Sequence, residues 1–239
     1  MPSVTFTATS RTVAGTFALT GSMSTARAGH TATLLRDGRV LVAGGYSSTS
    51  AGRELATAEL YDPTTGSFSP TANTMTVARY GQSATLLADG RVLVAGGYDQ
   101  RGGLSGVDLF DPATNRFEPT SNLLDGQSCH EGTLLRSGDV LITGGGTVVG
   151  ESGREARAEL YNPTTGLFRY TGPYADTIPV NAYNGLVGIA ATMLSNGTVL
   201  IASLPRAEAY DPATGAFAAT GSMLTNTGLS YSSGRTARC

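Results

Sequence analysis

Short apolar runs ending in paired glycines punctuate the chain. Val40-Leu-Val-Ala43 runs into Gly44-Gly45, Val92-Leu-Val-Ala95 into Gly96-Gly97, and Val140-Leu-Ile-Thr143 into Gly144-Gly145. Runs this short, bounded by turn residues, fit strands buried on both faces. In the first copy the pattern predicts strand a over His30 to Leu35 and strand b over Val40 to Ala43. Asp37-Gly38 between them is a tight-hairpin signal, since glycine accepts positive φ at no steric cost. Asp89-Gly90, Ser137-Gly138 and Asn196-Gly197 are its later versions. A loop leads to strand c, Ala58 to Tyr61. Asp62-Pro-Thr-Thr-Gly66 then turns the chain into strand d, Ser67 to Pro70. Asp can bond the backbone ahead of it, Pro presets φ, and Gly accepts the left-handed exit. Pro70 and Pro119 fall in strand d, and a residue without an N–H is tolerated at an outer edge. No stretch longer than ten residues shows helical periodicity with caps, so almost no helix is expected.

Three markers keep one period. The glycine pairs are the first. The second is an aromatic or near-equivalent turn: Tyr61-Asp-Pro63, Phe110-Asp-Pro112, Tyr161-Asn-Pro163 and Tyr210-Asp-Pro212, spaced by 49, 51 and 49 residues. The third is an aromatic in strand d: Phe17, Phe68, Phe117, Phe168 and Phe217, spaced by 51, 49, 51 and 49. Four-stranded units of about fifty residues in radial array describe a β-propeller. The fourth unit is degenerate: its double-glycine position reads Ala202-Ser203.

The units resemble bacterial kelch repeats, through the double glycine closing strand b, the aromatic-Asp-Pro turn and the strand-d aromatic. Phe stands where kelch units often have Trp. The resemblance covers roughly residues 15 to 220. It implies an all-β fold, a small kelch β-propeller with blades at about 27–70, 79–120, 128–170 and 186–220. The termini, 1–22 and 221–239, are expected to form a composite fifth blade. Gly221-Ser-Met223 repeats Gly21-Ser-Met23, and Gly228 to Ser232 falls where a next strand a should begin. The alternative is an arc cut from a larger ring.

Composition narrows the partners. The net charge is −2 and charged residues are 14% of the chain, which argues against a nucleic-acid footprint. All sixteen basic residues are arginine. No segment approaches a membrane-spanning length. The N-terminus lacks a charged region followed by an apolar run, so no signal peptide is recognised. The compartment stays open, with export in keeping with the resemblance. Cys129 and Cys239 are expected to be free thiols, since a terminal residue usually frays.

Function is expected where the copies differ. The a–b and c–d turns are repetitive scaffold. The b–c and d–a loops are all unlike and share one face in a propeller. Variable loops on a rigid scaffold commonly carry function. They contain Tyr46, Tyr98, Asp99, Arg101, Glu151, Arg154, Tyr174 and Tyr183. Aromatics and arginines are usual interface anchors. His30, Gln82 and His130 share one position, with Ile189 in the fourth unit, and are expected near the mouth of the central channel. Two imidazoles make no metal site, and none is assigned. The recurring strand-c acids, Glu59, Asp108, Glu159 and Glu208, read as a repeated structural bond to an Arg or a backbone N–H. One acid per unit is not a catalytic pair. Asn196-Gly-Thr198 reads as turn chemistry.

The leading reading is a non-catalytic scaffold presenting the long loops to a protein or glycan-like ligand, with no cofactor. The alternative, drawn from kelch enzymes, is a carbohydrate-active enzyme: a copper oxidase of the galactose oxidase kind, or a sugar epimerase such as the sialic-acid mutarotases. Neither His follows a tyrosine as the oxidase pattern requires. A truncated repeat array without independent function is the third reading.

Overall fold

A computed structural model describes residues 18–47, 54–146, 157–175, 189–203 and 206–221. The described residues contain no helix. They form four antiparallel four-stranded sheets, the blades of a propeller. Blade 1 is β1 (Thr31–Leu34), β2 (Val40–Ala43), β3 (Ala58–Asp62) and β4 (Ser67–Pro70). Blade 2 is β5 (Ser83–Leu86), β6 (Val92–Ala95), β9 (Val107–Asp111) and β10 (Arg116–Pro119). A small hairpin, β7 (Tyr98–Asp99) with β8 (Gly102–Gly103), interrupts it. Blade 3 is β11 (Ser128–Leu134), β12 (Val140–Gly146), β13 (Glu159–Asn162) and β14 (Leu167–Tyr170). Blade 4 is β15 (Ala190–Met193), β16 (Val199–Ser203), β17 (Arg206–Asp211) and β18 (Ala216–Ala219).

The predicted strands are these strands, to within a residue or two at their ends. The turns form for the reasons the residues suggest. Gly38 has φ 89°, and Asp37 accepts the Arg39 N–H at 3.0 Å while its carboxylate pairs with the Arg39 guanidinium at 2.7 Å. At the c–d turn, Asp62 accepts the Thr64 N–H at 2.8 Å and Gly66 donates to the Asp62 carbonyl at 2.8 Å. One expectation shifts by a residue. Val199 pairs with Tyr210 as Val40 pairs with Tyr61. That register puts Ser203, not Ala202, in the place of the first glycine.

The first strands stand side by side along the chain: β1 against β5, β5 against β11, β11 against β15. Strand b of blades 2 and 3 is apolar on both faces because each face meets a different neighbour. Leu41 and Ala43 pack forward on blade 2, while Val92 and Val94 of blade 2 pack back on blade 1. All four are at most 0% exposed. The d–a connections tie the blades at the rim. Gly21 donates to the Gly66 carbonyl at 2.8 Å, Ala72 to Asn115 at 2.9 Å, and Gly172 to Gly215 at 3.0 Å. Most of the residues assigned to a composite fifth blade, 1–17 and 222–239, lie outside the described residues.

Cys129 is disulfide-bonded, so the expectation of a free thiol at Cys129 is overturned. The sequence has one other cysteine, Cys239, which lies outside the described residues. Cys129 is one of two non-glycine residues in left-handed conformation among those described, at φ 59°.

Candidate functional site

Strand b leaves blades 1 to 3 through its glycine pair onto the loop face. Tyr46 follows Gly45 there and pairs with Ala28 through two backbone bonds, at 2.8 and 3.0 Å. Tyr98 repeats this in blade 2, paired with Tyr80 at 2.8 and 3.2 Å. The three tyrosine rings form a strip. Tyr46 and Tyr80 meet edge to face with centroids 5.4 Å apart, and Tyr80 and Tyr98 at 5.6 Å. All three are half-buried. Gly29 lies beside both rings at a φ of +64°, a conformation that favours glycine, and a Cβ there would make only ordinary contact, 3.5 Å from Tyr80 and 3.6 Å from the Tyr46 ring. The Tyr80 hydroxyl is held above its ordinary pKa by burial, with the charges of Tyr98 and Glu54 adding to it.

The hairpin β7–β8 extends the strip. Asp99 accepts the Arg101 N–H at 2.7 Å, which fixes the turn, and Arg101 stands exposed at its tip. Gln100 reaches Glu54 of the blade 1 loop at 3.4 Å. Tyr46, Tyr98, Asp99 and Arg101 are therefore brought to one place. Tyr80 was not foreseen, although a signal existed. It precedes Tyr98 by 18 residues, as Ala28 precedes Tyr46.

Tyr174 sits apart from that strip. Its ring packs on Phe217 at 4.5 Å and its hydroxyl accepts the Gly144 N–H at 3.0 Å. Burial pushes its pKa up to about 12, against the pull of the Gly144 bond. Glu151, Arg154 and Tyr183 lie outside the described residues.

The shared position of His30, Gln82 and His130 turns out to plug one blade into the one before it. Gln82 donates to the Ala43 carbonyl of blade 1 at 2.8 Å. His130 bonds the Ser83 hydroxyl of blade 2 at 2.9 Å through Nε2. Each side chain lies against the first glycine of the preceding pair: a Cβ on Gly44 would come 2.5 Å from Gln82, and one on Gly96 would come 2.7 Å from His130. Ile189 occupies the same seat against Gly144. His30 stands exposed.

Burial holds the His130 pKa down to about 4, with the Arg79 charge acting the same way and the Ala95 and Gln127 backbone opposing. The imidazole is neutral in the folded protein, and the unfolded chain binds its proton more readily. Stability from this site is therefore present above the ordinary histidine pKa of 6.5 and is lost as pH falls from there towards about 4. His130→Gln, which copies Gln82, is expected to fold and to flatten that loss. Urea unfolding at several pH values between 7.5 and 4, compared with wild type, checks it.

Each strand-c acid makes the structural bond expected of it. Glu59 accepts the Ser24 N–H at 2.8 Å and the Arg27 guanidinium at 2.9 Å. Asp108 accepts the N–H and hydroxyl of Thr76, both at 3.0 Å, and Arg79 at 2.8 Å. Glu159 accepts the Leu124 and Asp125 N–H groups at 2.8 and 3.0 Å, and Glu208 that of Ala175 at 3.2 Å. In blade 3 the arginine position holds Gln127. Burial then raises the Glu159 pKa, whereas at Glu59 burial is outweighed by the Ser24, Arg27 and Thr25 bonds and the pKa falls.

Residues 26–75 match the family model described as the kelch motif. A comparison with curated proteins finds no match. Among solved structures, a fungal alcohol oxidase of the AA5 family in complex with copper is similar, with a TM-score of 0.60 and 17% identity. The similarity covers 80% of this chain but 40% of the oxidase, so the chain spans well under half of that enzyme. Among the described residues the donors do not fit copper. The sequence has two histidines; His130 is sealed between blades and bonded to Ser83, which leaves His30. Among the described residues no three His, Cys, Asp or Glu side chains converge. What is common to the two is the fold. The first unit matches the kelch motif and the same markers return in three further four-stranded sheets, so the described residues form a β-propeller whose first blade is a kelch unit.

Proposed function

We propose that the chain is a binding scaffold whose loop face takes up a protein segment at the strip of Tyr46, Tyr80 and Tyr98 beside Arg101. The observation that carries this reading is the strip itself: three half-buried rings from two blades, held by backbone pairing, with an exposed arginine on a braced turn. Tyrosine and arginine dominate protein interfaces because they supply large contact area with polar ends. The edge-to-face stacking presents ring edges, not the single flat platform a sugar ring would stack on.

Selection of a displayed peptide library against the protein, followed by titration of the enriched peptides, tests the reading. Tyr80→Ala with Tyr98→Ala and Arg101→Ala should weaken those peptides about tenfold or more. Arg136→Ala, at an a–b turn, should leave them unchanged. Equal binding to the triple variant would rule out this face, and binding on a glycan array with no enriched peptide would favour a sugar ligand instead.

A further inference from the structure

The fourth strand of each blade is a sheet edge, and in blades 1 and 2 that edge is guarded. In blade 2 the Thr120 N–H reaches the Val107 carbonyl at 3.1 Å, so the backbone groups of Glu118 and Arg116 also point to β9. Those of Phe117 and Pro119 point outward. Asn73 covers Phe117: its side-chain amide accepts the Phe117 N–H at 2.7 Å and donates to the Phe117 carbonyl at 2.9 Å. Pro119 has no N–H to offer. Pro70 holds the same register in blade 1, opposite Glu59 as Pro119 is opposite Asp108.

Blade 3 has neither guard. The Thr171 N–H reaches the Ala158 carbonyl at 3.0 Å, and the same alternation turns the backbone groups of Phe168 and Tyr170 outward. Tyr170, opposite Glu159, takes the proline position and keeps its N–H. Asn122, the counterpart of Asn73, stands exposed. Among the described residues nothing bonds the outward N–H and C=O groups of Phe168 and Tyr170.

The side chains on β14 are unlike those of the other edges. Phe168 packs back on the joint with blade 2, which puts Phe168 and Tyr170 on the rear face and Leu167 and Arg169 on the forward one. Leu167 is 60% exposed and Tyr170 37%. The Arg169 side chain is 64% exposed, with Asp139 no nearer than 3.9 Å. Arg157, also exposed, lies 5.1 Å over the Tyr170 ring. The two nearby acids are engaged: Asp125 accepts the Tyr170 hydroxyl at 3.1 Å and Asp139 the Asn162 amide at 3.0 Å. A groove of about 490 Å³ opens beside the strand, lined by Arg169, Tyr170, Gly172, Gly215 and Ala216 among others. The edge of blade 4, β18, also lacks proline, but alanine fills three of its four positions and offers little contact.

We propose that the edge of β14 takes up an extended segment of a partner protein as an added strand of blade 3. The segment carries acidic side chains on the forward face, beside Arg169, and apolar ones on the rear, beside Phe168 and Tyr170. Main-chain bonds to Phe168 and Tyr170 supply the pairing, and the alternation of side chains supplies the selectivity. This edge is separate from the tyrosine strip of blades 1 and 2 and does not depend on it. A second copy of the chain fits badly. Antiparallel pairing through both residues would set Phe168 against Tyr170 and Arg169 directly against Arg169, and like charges so placed are destabilising.

NMR titration of the isotope-labelled protein with a capped peptide of alternating valine and glutamate tests this. The Phe168 and Tyr170 amides should shift and become protected from exchange. Tyr170→Pro copies Pro70 and Pro119, and should weaken the peptide about tenfold or more. Tyr170→Val keeps the N–H and should retain binding. Arg169→Glu should lose the glutamate peptide and take up its valine–lysine counterpart. No binding to wild type, no loss in Tyr170→Pro, or equal binding of the lysine peptide by wild type would each overturn the proposal. So would Phe168 and Tyr170 amides already protected in the free protein. In that case a dimer in sedimentation that Tyr170→Pro dissolves would assign the edge to a second copy, and a monomer would assign it to the chain itself.

Discussion

Replacing Arg79 with leucine is expected to lower the unfolding free energy by about 3–5 kcal/mol, the usual consequence of leaving one partner of a buried ion pair unpaired. Both side chains of the Arg79–Asp108 pair are 0% exposed, at 2.8 Å. Arg79 also donates to the Gly96 and Gly106 carbonyls, so it closes the b–c loop of blade 2 as well as neutralising the acid. Burial lowers its pKa and the Asp108 charge opposes that fall. Without the guanidinium, Asp108 keeps the Thr76 bonds but stays a charge in an apolar joint. The double variant Arg79→Leu, Asp108→Leu should therefore be less destabilised than Arg79→Leu alone. Urea unfolding of the three proteins gives the comparison through their midpoints, provided the slopes agree. A loss below about 1 kcal/mol for Arg79→Leu would show that the joint relaxes around the empty site.

The repeat was legible because each blade needs the same local solutions. Asp37-Gly38 and Asp62-Pro63 solve turns within one hairpin, and nothing distant changes them. The doubly apolar strand b, Val40 to Ala43, announces neighbours on both sides. The strand-c acids could be read as structural because recurrence argues against catalysis, and their N–H and arginine partners follow from that. What stayed hidden depends on contacts between units. His30, Gln82 and His130 align as one position, but alignment places a side chain within its blade and does not say that it reaches the previous one. Tyr80 has no marker of its own in the sequence, and its place in the strip follows only from its pairing with Tyr98. The hairpin β7–β8 forms because Asp99 and Gly102 suit a tight turn, within a loop whose sequence differs from copy to copy. The register of blade 4 slipped because Ser203 has no glycine neighbour to mark it.

The contrast between two glycines tests the reading of the paired glycines. Gly38→Ala and Gly96→Ala both place a side chain at positive φ, 89° and 60°. That conformation alone costs an L-residue about 1–2 kcal/mol. At Gly38 nothing lies within 4 Å of the new Cβ, so the loss should stop there. At Gly96 the new Cβ would come 2.5 Å from the Gln127 carbonyl oxygen and 2.7 Å from His130. One of these is backbone of the next blade, and it already accepts the Gly97 N–H at 2.9 Å. It cannot move without opening the joint, so overpacking should add about 1–3 kcal/mol. Thermal or urea unfolding should therefore rank Gly96→Ala well below Gly38→Ala. Equal losses would mean that the glycine pair serves only its own turn. A larger loss at Gly96 would mean that the first glycine is kept bare by the neighbouring blade. On that reading the motif that marks the repeat in the sequence is itself the record of the joint between repeats.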